Sequence, residues 1–161
     1  MKKIKIDLTI NCFSSFEELE DENERRLCRS AYEAINHAYA PYSEYKVGAA
    51  VLLDTNDIVQ GSNQENAVYP LGLCAERVAI FSSNTQFPEA KIKAVAVVTL
   101  NDLEEDQLPG FPCGSCRQVL IDMEFRHKKD IKVLVLDKYK KVYEIQSAKD
   151  LLPLPFDHND L

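Results

Sequence analysis

Three of the five cysteines in this 161-residue chain lie in two short motifs whose residue types could bind a metal ion. Cys74 opens the stretch "CAER", and Cys113 and Cys116 lie in "PCGSCRQ". The C-x-x-C spacing lets both thiolates bind one ion, although it also fits a redox pair or chance. Each motif leads into a segment of helical propensity, and a helix N-terminus lowers the pKa of a thiol. We therefore predict that the three thiolates converge on one ion, for which zinc is the best match.

A fourth protein ligand would make such a zinc site structural, so the remaining cysteines and histidines matter. His37 lies inside a predicted helix, His127 in a basic turn and His158 near the C-terminus, and none has ligand-like spacing to a second cysteine or histidine. Cys12 and Cys28 are isolated. The sequence thus favours three protein ligands and one open position, which is how a catalytic zinc is built. Water in that position would have its pKa lowered toward neutrality.

Two charged residues follow Cys74 closely enough to take part in the same chemistry. Glu76 could take a proton from the activated water and pass it to a substrate. Alternatively, Glu76 is only a carboxylate in a favourable first helical turn. Three thiolates make the site electron-rich, and Arg77 is the candidate for tuning its charge near the zinc. The alternative for Arg77 is an ordinary arginine of a first helical turn.

Predicted strands alternate with predicted helices, which indicates an α/β layer structure. In chain order we predict a strand at 4–10, a helix in the later part of 14–40, two strands around a turn at 54–57, a helix after Cys74, a strand at 91–100, a helix after Cys113, strands at 131–137 and 141–146, and a short helix ended by Pro153. The first two strands after the first helix form a hairpin, and the later ones are joined by helices. We therefore expect a mixed sheet with helices on both faces.

Length and charge restrict the classes of function. The chain is long enough for one domain with a real core and too short for two. Its net charge of −7 argues against a nucleic-acid partner, because proteins that grip phosphate backbones present a basic face. No apolar run reaches the length of a membrane span, and the N-terminus makes a poor signal peptide. We expect a cytoplasmic protein without a membrane partner.

The two cysteine motifs together resemble those of the small homotetrameric, zinc-dependent cytidine deaminases. Three further stretches agree with that family in order and spacing. They are "HAYAPYSEYKVGAAVL" at 37–52, "GSNQENAVYP" at 61–70 and "LLPLPF" at 151–156. The resemblance implies an α/β fold, a three-layer α/β/α sandwich around a mixed five-stranded sheet. It also implies a single domain at 21–161, preceded by an N-terminal extension at 1–20 that forms a strand or an arm.

The resemblance also implies roles for the motif residues. Cys74, Cys113 and Cys116 would hold one zinc ion per chain, and Glu76 would shuttle protons. The implied reaction is hydrolytic deamination of cytidine and 2′-deoxycytidine to uridine and 2′-deoxyuridine with release of ammonia, a step of pyrimidine salvage.

Substrate-binding roles are implied for five other residues. Asn63 and Glu65 would hydrogen-bond the sugar hydroxyls, whereas Tyr45 and Phe156 would stack on the base or close the pocket. Tyr69 would lie near the active site of a neighbouring subunit, because the family forms homotetramers with shared active sites. Tyr45 and Phe156 could equally be plain core or interface residues.

Two positions depart from the family pattern, and two other functions stay open. Tyr45 stands where the family usually has Phe, and Ser115 stands where Ala is common, which puts the substrate range in doubt. Within the enzymes, the alternative is a deaminase of a modified cytosine nucleoside such as an aminoacyl-nucleoside antibiotic. Outside them, it is a non-catalytic scaffold stabilised by zinc.

Overall fold

One six-stranded sheet with helices on both faces forms the body of the protein in a computed structural model, which describes residues 1–101, 107–157 and 160. The elements in chain order are β1 (Asn11–Phe13), α1 (Glu22–Ala34), β2 (Val47–Leu53), β3 (Ile58–Ser62), α2 (Ala75–Gln86), β4 (Ile92–Thr99), α3 (Gly114–His127), β5 (Lys132–Leu136) and β6 (Val142–Ile145). Short 3-10 turns lie at Phe16–Glu18, Ile35–His37, Tyr69–Leu71 and Ala148–Leu151. None of the helices in the described ranges is long and apolar enough to cross a bilayer.

The strand order is β1-β6-β5-β4-β2-β3, and β4 and β5 are the one parallel pair among the described strands. The mixed sheet and the β2–β3 hairpin are therefore confirmed. The parallel pair is connected through α3, as a βαβ crossover requires. The expected count of five strands is wrong, because β1 adds a sixth at the edge next to β6.

The predicted strand at 4–10 is also wrong in position. Residues 1–10 contain no regular element, and β1 begins at Asn11. Contacts with the rest of the chain explain the shift. The side-chain amide of Asn11 donates to the Glu144 carboxylate at 2.9 Å, and Phe13 packs against the core on the α1 side. The alternation of apolar residues at 4–10 indicates strand propensity, but a strand forms only where a neighbouring strand can pair with it. β6 pairs with residues 11–13 alone.

Two apolar layers hold the helices to the sheet. On one face α1 packs on alternate residues of the central strands, and on the other face α2 and α3 pack on the residues between them. Central strands are buried on both faces, which explains why "IKAVAVVT" of β4 reads as a continuous apolar run. The buried residues of the α1 layer include Leu27, Ala31, Leu52, Ala96 and Leu134, and those of the other layer include Ala79, Ile80, Val51, Val97 and Leu120.

Two glycines let helices approach the sheet at backbone distance. A Cβ on Gly61 of β3 would lie 2.5 Å from the Ala75 carbonyl oxygen and 2.5 Å from the Ala79 amide nitrogen of α2. A Cβ on Gly48 of β2 would lie 2.2 Å from the Ala31 carbonyl oxygen of α1. Because Gly61 lies against the first turn of α2, it fixes where that helix begins relative to the sheet.

A buried carboxylate joins α3 to the end of the chain. Oε1 of Glu124 accepts from the Ile131 amide at 2.7 Å, the Ala148 amide at 2.8 Å and the Ser147 hydroxyl at 2.9 Å. Glu124 is 2% exposed, so water cannot replace these bonds. The contact orients the C-terminal end of α3 against β5 and the segment after β6.

We expect Glu124→Ala to lower the free energy of unfolding by about 3 kcal/mol, because two buried amides lose their acceptor at about 1–3 kcal/mol each. Urea denaturation followed by circular dichroism measures the change. Glu89→Ala, which removes an exposed carboxylate, serves as the matched control and should unfold at the wild-type midpoint. Equal midpoints for the two variants would show that the contact contributes nothing.

Candidate active site

Two helix N-termini bring the three motif cysteines together. Cys74 is the N-cap of α2, Cys113 is the N-cap of α3, and Cys116 lies in the first turn of α3. The Sγ atoms of Cys74 and Cys113 are 3.7 Å apart, and those of Cys113 and Cys116 are 3.5 Å apart. All three Sγ atoms lie within 4.8 Å of one another. The two segments that carry them are 39 residues apart in sequence, so only the fold creates this triangle.

The triangle has the size that a zinc ion requires. Tetrahedral bonds of about 2.3 Å from zinc to sulfur place two thiolates about 3.8 Å apart. Exposure is graded around the triangle: Cys116 is buried, Cys74 is half-buried and Cys113 is exposed. A Cβ on Gly114 would meet nothing within 4 Å, so space lies open beside the exposed thiol. Three ligands with one accessible side fit a site that keeps a position for water.

Without an ion, the thiols share protons unequally. The pKa of Cys74 is lowered to about 5, first by its hydrogen bond with Cys116 and then by that with Arg77. The pKa of Cys116 is raised, first by the same bond to Cys74 and then by burial. Cys74 therefore ionises first and its charge opposes the ionisation of Cys116. A bound divalent cation reverses that opposition, because metal-bound thiols lose their protons.

Glu76 is buried beside this triangle, in the first turn of α2. Its side chain is 4% exposed, and burial raises the pKa of its carboxyl, with the neighbouring Cys74 adding to the rise. Hydrogen bonds from its own backbone amide and from Cys116 act in the opposite direction. A carboxyl held in this way can carry a proton closer to neutral pH than a free one, which suits proton transfer.

Arg77 is partly buried in the first turn of α2, next to Cys74. Its Nη2 donates to the Cys74 sulfur at 3.5 Å, and this bond is the main cause of its raised pKa. Its Nε is buried and, among the described residues, has no hydrogen-bond partner. A guanidinium that faces thiolates offsets part of their negative charge.

Asn63 and Glu65 flank a backbone connection to the segment that carries Cys74. Gln64, between them, forms two backbone hydrogen bonds with Leu73, the residue before Cys74, and both N···O distances are 2.9 Å. The structure thus brings the predicted sugar-binding residues into register with the start of α2.

Both predicted sugar-binding side chains also hold the loop that enters β2. Oδ1 of Asn63 accepts from the Val47 amide at 2.9 Å, and its Nδ2 donates to the Tyr45 carbonyl at 2.8 Å. The Glu65 carboxylate accepts from the Ser43 hydroxyl and from the Tyr42 amide. The same bonds lower the pKa of Glu65, with the Ser43 hydroxyl contributing most. Each side chain keeps unused hydrogen-bonding capacity, because an amide offers four bonds and a carboxylate about four.

The aromatic residues lie around this loop with much exposed surface. Tyr45 points its hydroxyl at Gly110, where an added Cβ would come within 2.5 Å of that oxygen. The extra hydroxyl relative to Phe is therefore accommodated by a glycine on the segment leading to Pro112. Tyr69 is 75% exposed and packs edge-on against Tyr42, with ring centroids 5.9 Å apart.

Arg117 and Gln118 directly follow Cys116 and were not predicted as site residues. They connect the C-terminal segment to the cysteine turn. Nε of Arg117 donates to the Pro112 carbonyl at 2.7 Å, and its Nη1 donates to the Leu151 carbonyl at 2.8 Å. The Gln118 amide donates to the Phe156 carbonyl at 2.7 Å. The signal in the sequence was their place in "PCGSCRQ", but two of the three acceptors are backbone carbonyls more than 30 residues further along the chain.

The two histidines within the described residues lie outside the cysteine cluster. His37 is exposed at the end of the first helical segment. His127 is buried at the end of α3, where its Nδ1 accepts from the Ile92 amide at 3.2 Å, and burial lowers its pKa. His158 lies outside the described residues.

Comparisons with known proteins agree with this geometry. Residues 21–130 match the family described as the cytidine and deoxycytidylate deaminase zinc-binding region. A cytidine deaminase of Halalkalibacterium halodurans is 36% identical over 135 residues, which cover 84% of this chain and 95% of that protein. A cytidine deaminase of Sporosarcina psychrophila is 35% identical over 136 residues, covering 84% and 93%.

Solved structures show the same fold. The crystal structure of cytidine deaminase from Burkholderia pseudomallei superimposes with a TM-score of 0.70 at 38% sequence identity, covering 81% of this chain and 97% of that one. The cytidine deaminase of Mycobacterium tuberculosis gives a TM-score of 0.64 at 32% identity, covering 84% and 98%.

Proposed function

Because this chain belongs to the cytidine and deoxycytidylate deaminase family of hydrolytic enzymes, we propose that it converts cytidine and 2′-deoxycytidine to uridine and 2′-deoxyuridine, with one zinc ion per chain. The observation that carries the proposal is the triangle of Cys74, Cys113 and Cys116 with Glu76 buried beside it. The balanced reaction is nucleoside plus water to deaminated nucleoside plus ammonia.

Zinc held by the three cysteines would supply a water of lowered pKa as the nucleophile. Glu76 would move one proton from the attacking water to ring N3 as the bond to C4 forms. Glu76 would then move the second proton to the exocyclic amino group, so that the C4–N bond would break and release ammonia. Arg77 donates to the Cys74 sulfur, which favours the thiolate, and offsets part of the negative charge of the cluster.

The sugar and base would be bound by residues around the loop that enters β2. Asn63 and Glu65 present their remaining donor and acceptor positions to the sugar hydroxyls, and they are held rigidly because the loop backbone is bonded to them. Tyr45 and Phe156 would cover the base. Phe156 is 63% exposed in the single chain, so much of its ring surface is free to contact a base.

We also propose that the enzyme is a homotetramer with shared active sites. The support is an exposed apolar surface next to the site: Val68 is 58% exposed, Tyr69 75% and Leu71 65%. Monomeric proteins rarely leave such clusters in water. Tyr69 would then approach the active site of a neighbouring subunit.

The cellular setting is proposed from chemistry. Three thiol ligands must stay reduced to bind a metal, which suits the cytoplasm. A free nucleoside as substrate places the reaction in pyrimidine salvage. The division into an extension at 1–20 and a domain at 21–161 is supported by the start of the family match at residue 21.

The direct test is to incubate the zinc-loaded protein with cytidine and to follow the loss of cytidine absorbance, together with a metal count per chain. We expect about one zinc and turnover of both cytidine and 2′-deoxycytidine. Absence of turnover with both nucleosides would contradict the proposal, and the same assay with aminoacyl-cytosine nucleosides would then identify a deaminase of modified substrates.

The contact between Gln118 and Phe156 gives a more local prediction. We expect Gln118→Ala to raise KM for cytidine by up to about tenfold and to leave kcat and the zinc content close to wild type, because one hydrogen bond contributes about 0.5–1.5 kcal/mol. Steady-state kinetics and metal analysis measure the split. Gln86→Ala, at the far end of α2, is the control and should keep the wild-type KM. An unchanged KM in Gln118→Ala would show that the C-terminal segment does not cover the substrate.

A further inference from the structure

The first ten residues, here called the N-terminal arm, carry apolar side chains that the described chain leaves about half or more exposed. Ile4 is 81% exposed, Ile6 54% and Leu8 48%. Ile10, the last residue of the arm, packs against the apolar layer shared with α2 and α3. Three large apolar residues at alternating positions in water are unfavourable unless another surface covers them.

The arm has the side-chain alternation of a strand. Lys5 and Asp7 form an ion pair of 2.8 Å, which places positions 5 and 7 on one side of the backbone. With a period of two, Lys3, Lys5 and Asp7 share a face with Asn11 of β1, and the apolar residues share the other face with Ile10. Asn11 bonds Glu144 on the α1 side of the sheet, so the lysines of the arm belong to that side.

The strand that follows the arm has a free edge. β1 pairs with β6 on one side, and among the described residues no strand pairs with its other side. Such an edge presents unpaired N–H and C=O groups to a second strand.

An acidic groove of about 450 Å³ lies beside β1 on the α1 side. Its lining includes Phe13, Glu18, Glu20, Asp21, Glu24 and Glu144. Lys132 pairs with two of these carboxylates, Glu24 and Glu144. Glu18 and Glu20 have no ion pair with any described residue. The groove therefore keeps negative charge available for a cation from outside.

We propose that two copies of this chain associate by antiparallel pairing of β1 with β1, with each arm lying along the acidic groove of the other copy. In a two-fold pairing centred on Cys12, Asn11 of one chain lies beside Phe13 of the other, and each arm continues past the end of the other copy's β1. Each basic arm then runs beside the acidic groove next to the other copy's β1, in both halves of the interface. An isologous contact of this kind needs only one self-complementary surface.

The orientation of the two sheet faces is also consistent with the proposed pairing. A two-fold axis perpendicular to the sheet keeps the α1 sides of both copies on the same side. Lys3 and Lys5, on the α1 side of the arm, then point to the side on which the second copy has its groove. Ile4, Ile6 and Leu8 then face the other side of the sheet, the side on which Ile10 contacts the apolar layer shared with α2 and α3. A nucleic acid does not suit this surface, because the groove is acidic.

Cys12 gives a direct test, since it is exposed at the centre of the proposed contact. Antiparallel neighbours have Cα atoms about 4.5–5.5 Å apart, within reach of a short thiol cross-linker. We expect dibromobimane to convert the zinc-loaded protein to a covalent dimer, and Cys12→Ser to abolish that dimer. A protein that stays uncross-linked, or a dimer that persists in Cys12→Ser, would overturn the proposal.

Charge reversal tests the arm and the groove separately from Cys12. We expect Lys3→Glu/Lys5→Glu to slow cross-linking by about tenfold or more, because like charges then face each other. Adding Glu18→Lys/Glu20→Lys to the same chain should restore most of the rate. Lys128→Glu/Lys129→Glu makes the same change in net charge at the end of α3 and should cross-link as wild type does. Equal rates in all variants would contradict the docking of the arm.

Discussion

Glu76→Gln is expected to lower kcat for cytidine by about 10²–10⁴-fold and to leave zinc binding unchanged, because general acid–base catalysis contributes a factor of that size. The amide has nearly the shape of the carboxyl, so the burial of the side chain and the start of α2 are preserved. The lost property is the ability to take and return a proton. Single-turnover kinetics with a metal count on the same sample measures both quantities.

A second buried carboxylate provides the control for Glu76. Glu144→Gln removes a negative charge from a 5% exposed side chain on the α1 side of the sheet, away from the cysteines. We expect its kcat to match wild type at temperatures where it is folded. Wild-type turnover in Glu76→Gln would exclude Glu76 as the proton carrier. No turnover in the wild type would instead favour a scaffold stabilised by zinc.

Cys113→Ala is expected to reduce zinc from about one ion per chain to near zero after dialysis against a weak chelator, and to abolish turnover. Cys113 is exposed, so its loss removes a ligand with little change in packing. Two thiolates remain, and a C-x-x-C turn without its first cysteine no longer holds the ion at α3.

Stability distinguishes metal loss from misfolding in this variant. A ligand that binds only the folded state stabilises it by about 2.7 kcal/mol when present at 100 times its Kd. Chelation should therefore lower the Tm of the wild type and leave the Tm of Cys113→Ala unchanged. Cys12→Ala changes a cysteine outside the cluster and should keep its zinc, its turnover and the response of its Tm to chelator. Retention of zinc by Cys113→Ala would show that Cys113 is not a ligand.

The sequence was informative wherever a function depends on residue type and short spacing. Cys74, Cys113 and Cys116 could be grouped because thiols at helix starts have few other uses in a chain with no disulfide pattern. The layer order of the fold followed from strands alternating with helices, and the continuous apolar run of β4 indicated a central strand.

The features of the structure that could not be predicted depend on contacts between segments that are distant in the sequence. Alternation at 4–10 has the pattern of a strand, yet pairing begins at Asn11 because Glu144 and the α1 layer lie there. The bonds of Arg117 and Gln118 go to backbone carbonyls more than 30 residues away or across the cysteine turn, and a carbonyl leaves no trace in the residue types.

The backbone connection between Gln64 and Leu73 determines which substitutions are tolerated between Asn63 and Cys74. Its two hydrogen bonds join peptide groups, which every residue except proline possesses in full. The spacing between Cys74 and the proposed sugar-binding residues therefore depends little on the side chain at position 73, whereas the Gln64 side chain also donates to the His37 carbonyl and the Ser62 hydroxyl. Any residue except proline at position 73 can therefore alter the surface of the protein while the distance between residues 63–65 and Cys74 is retained.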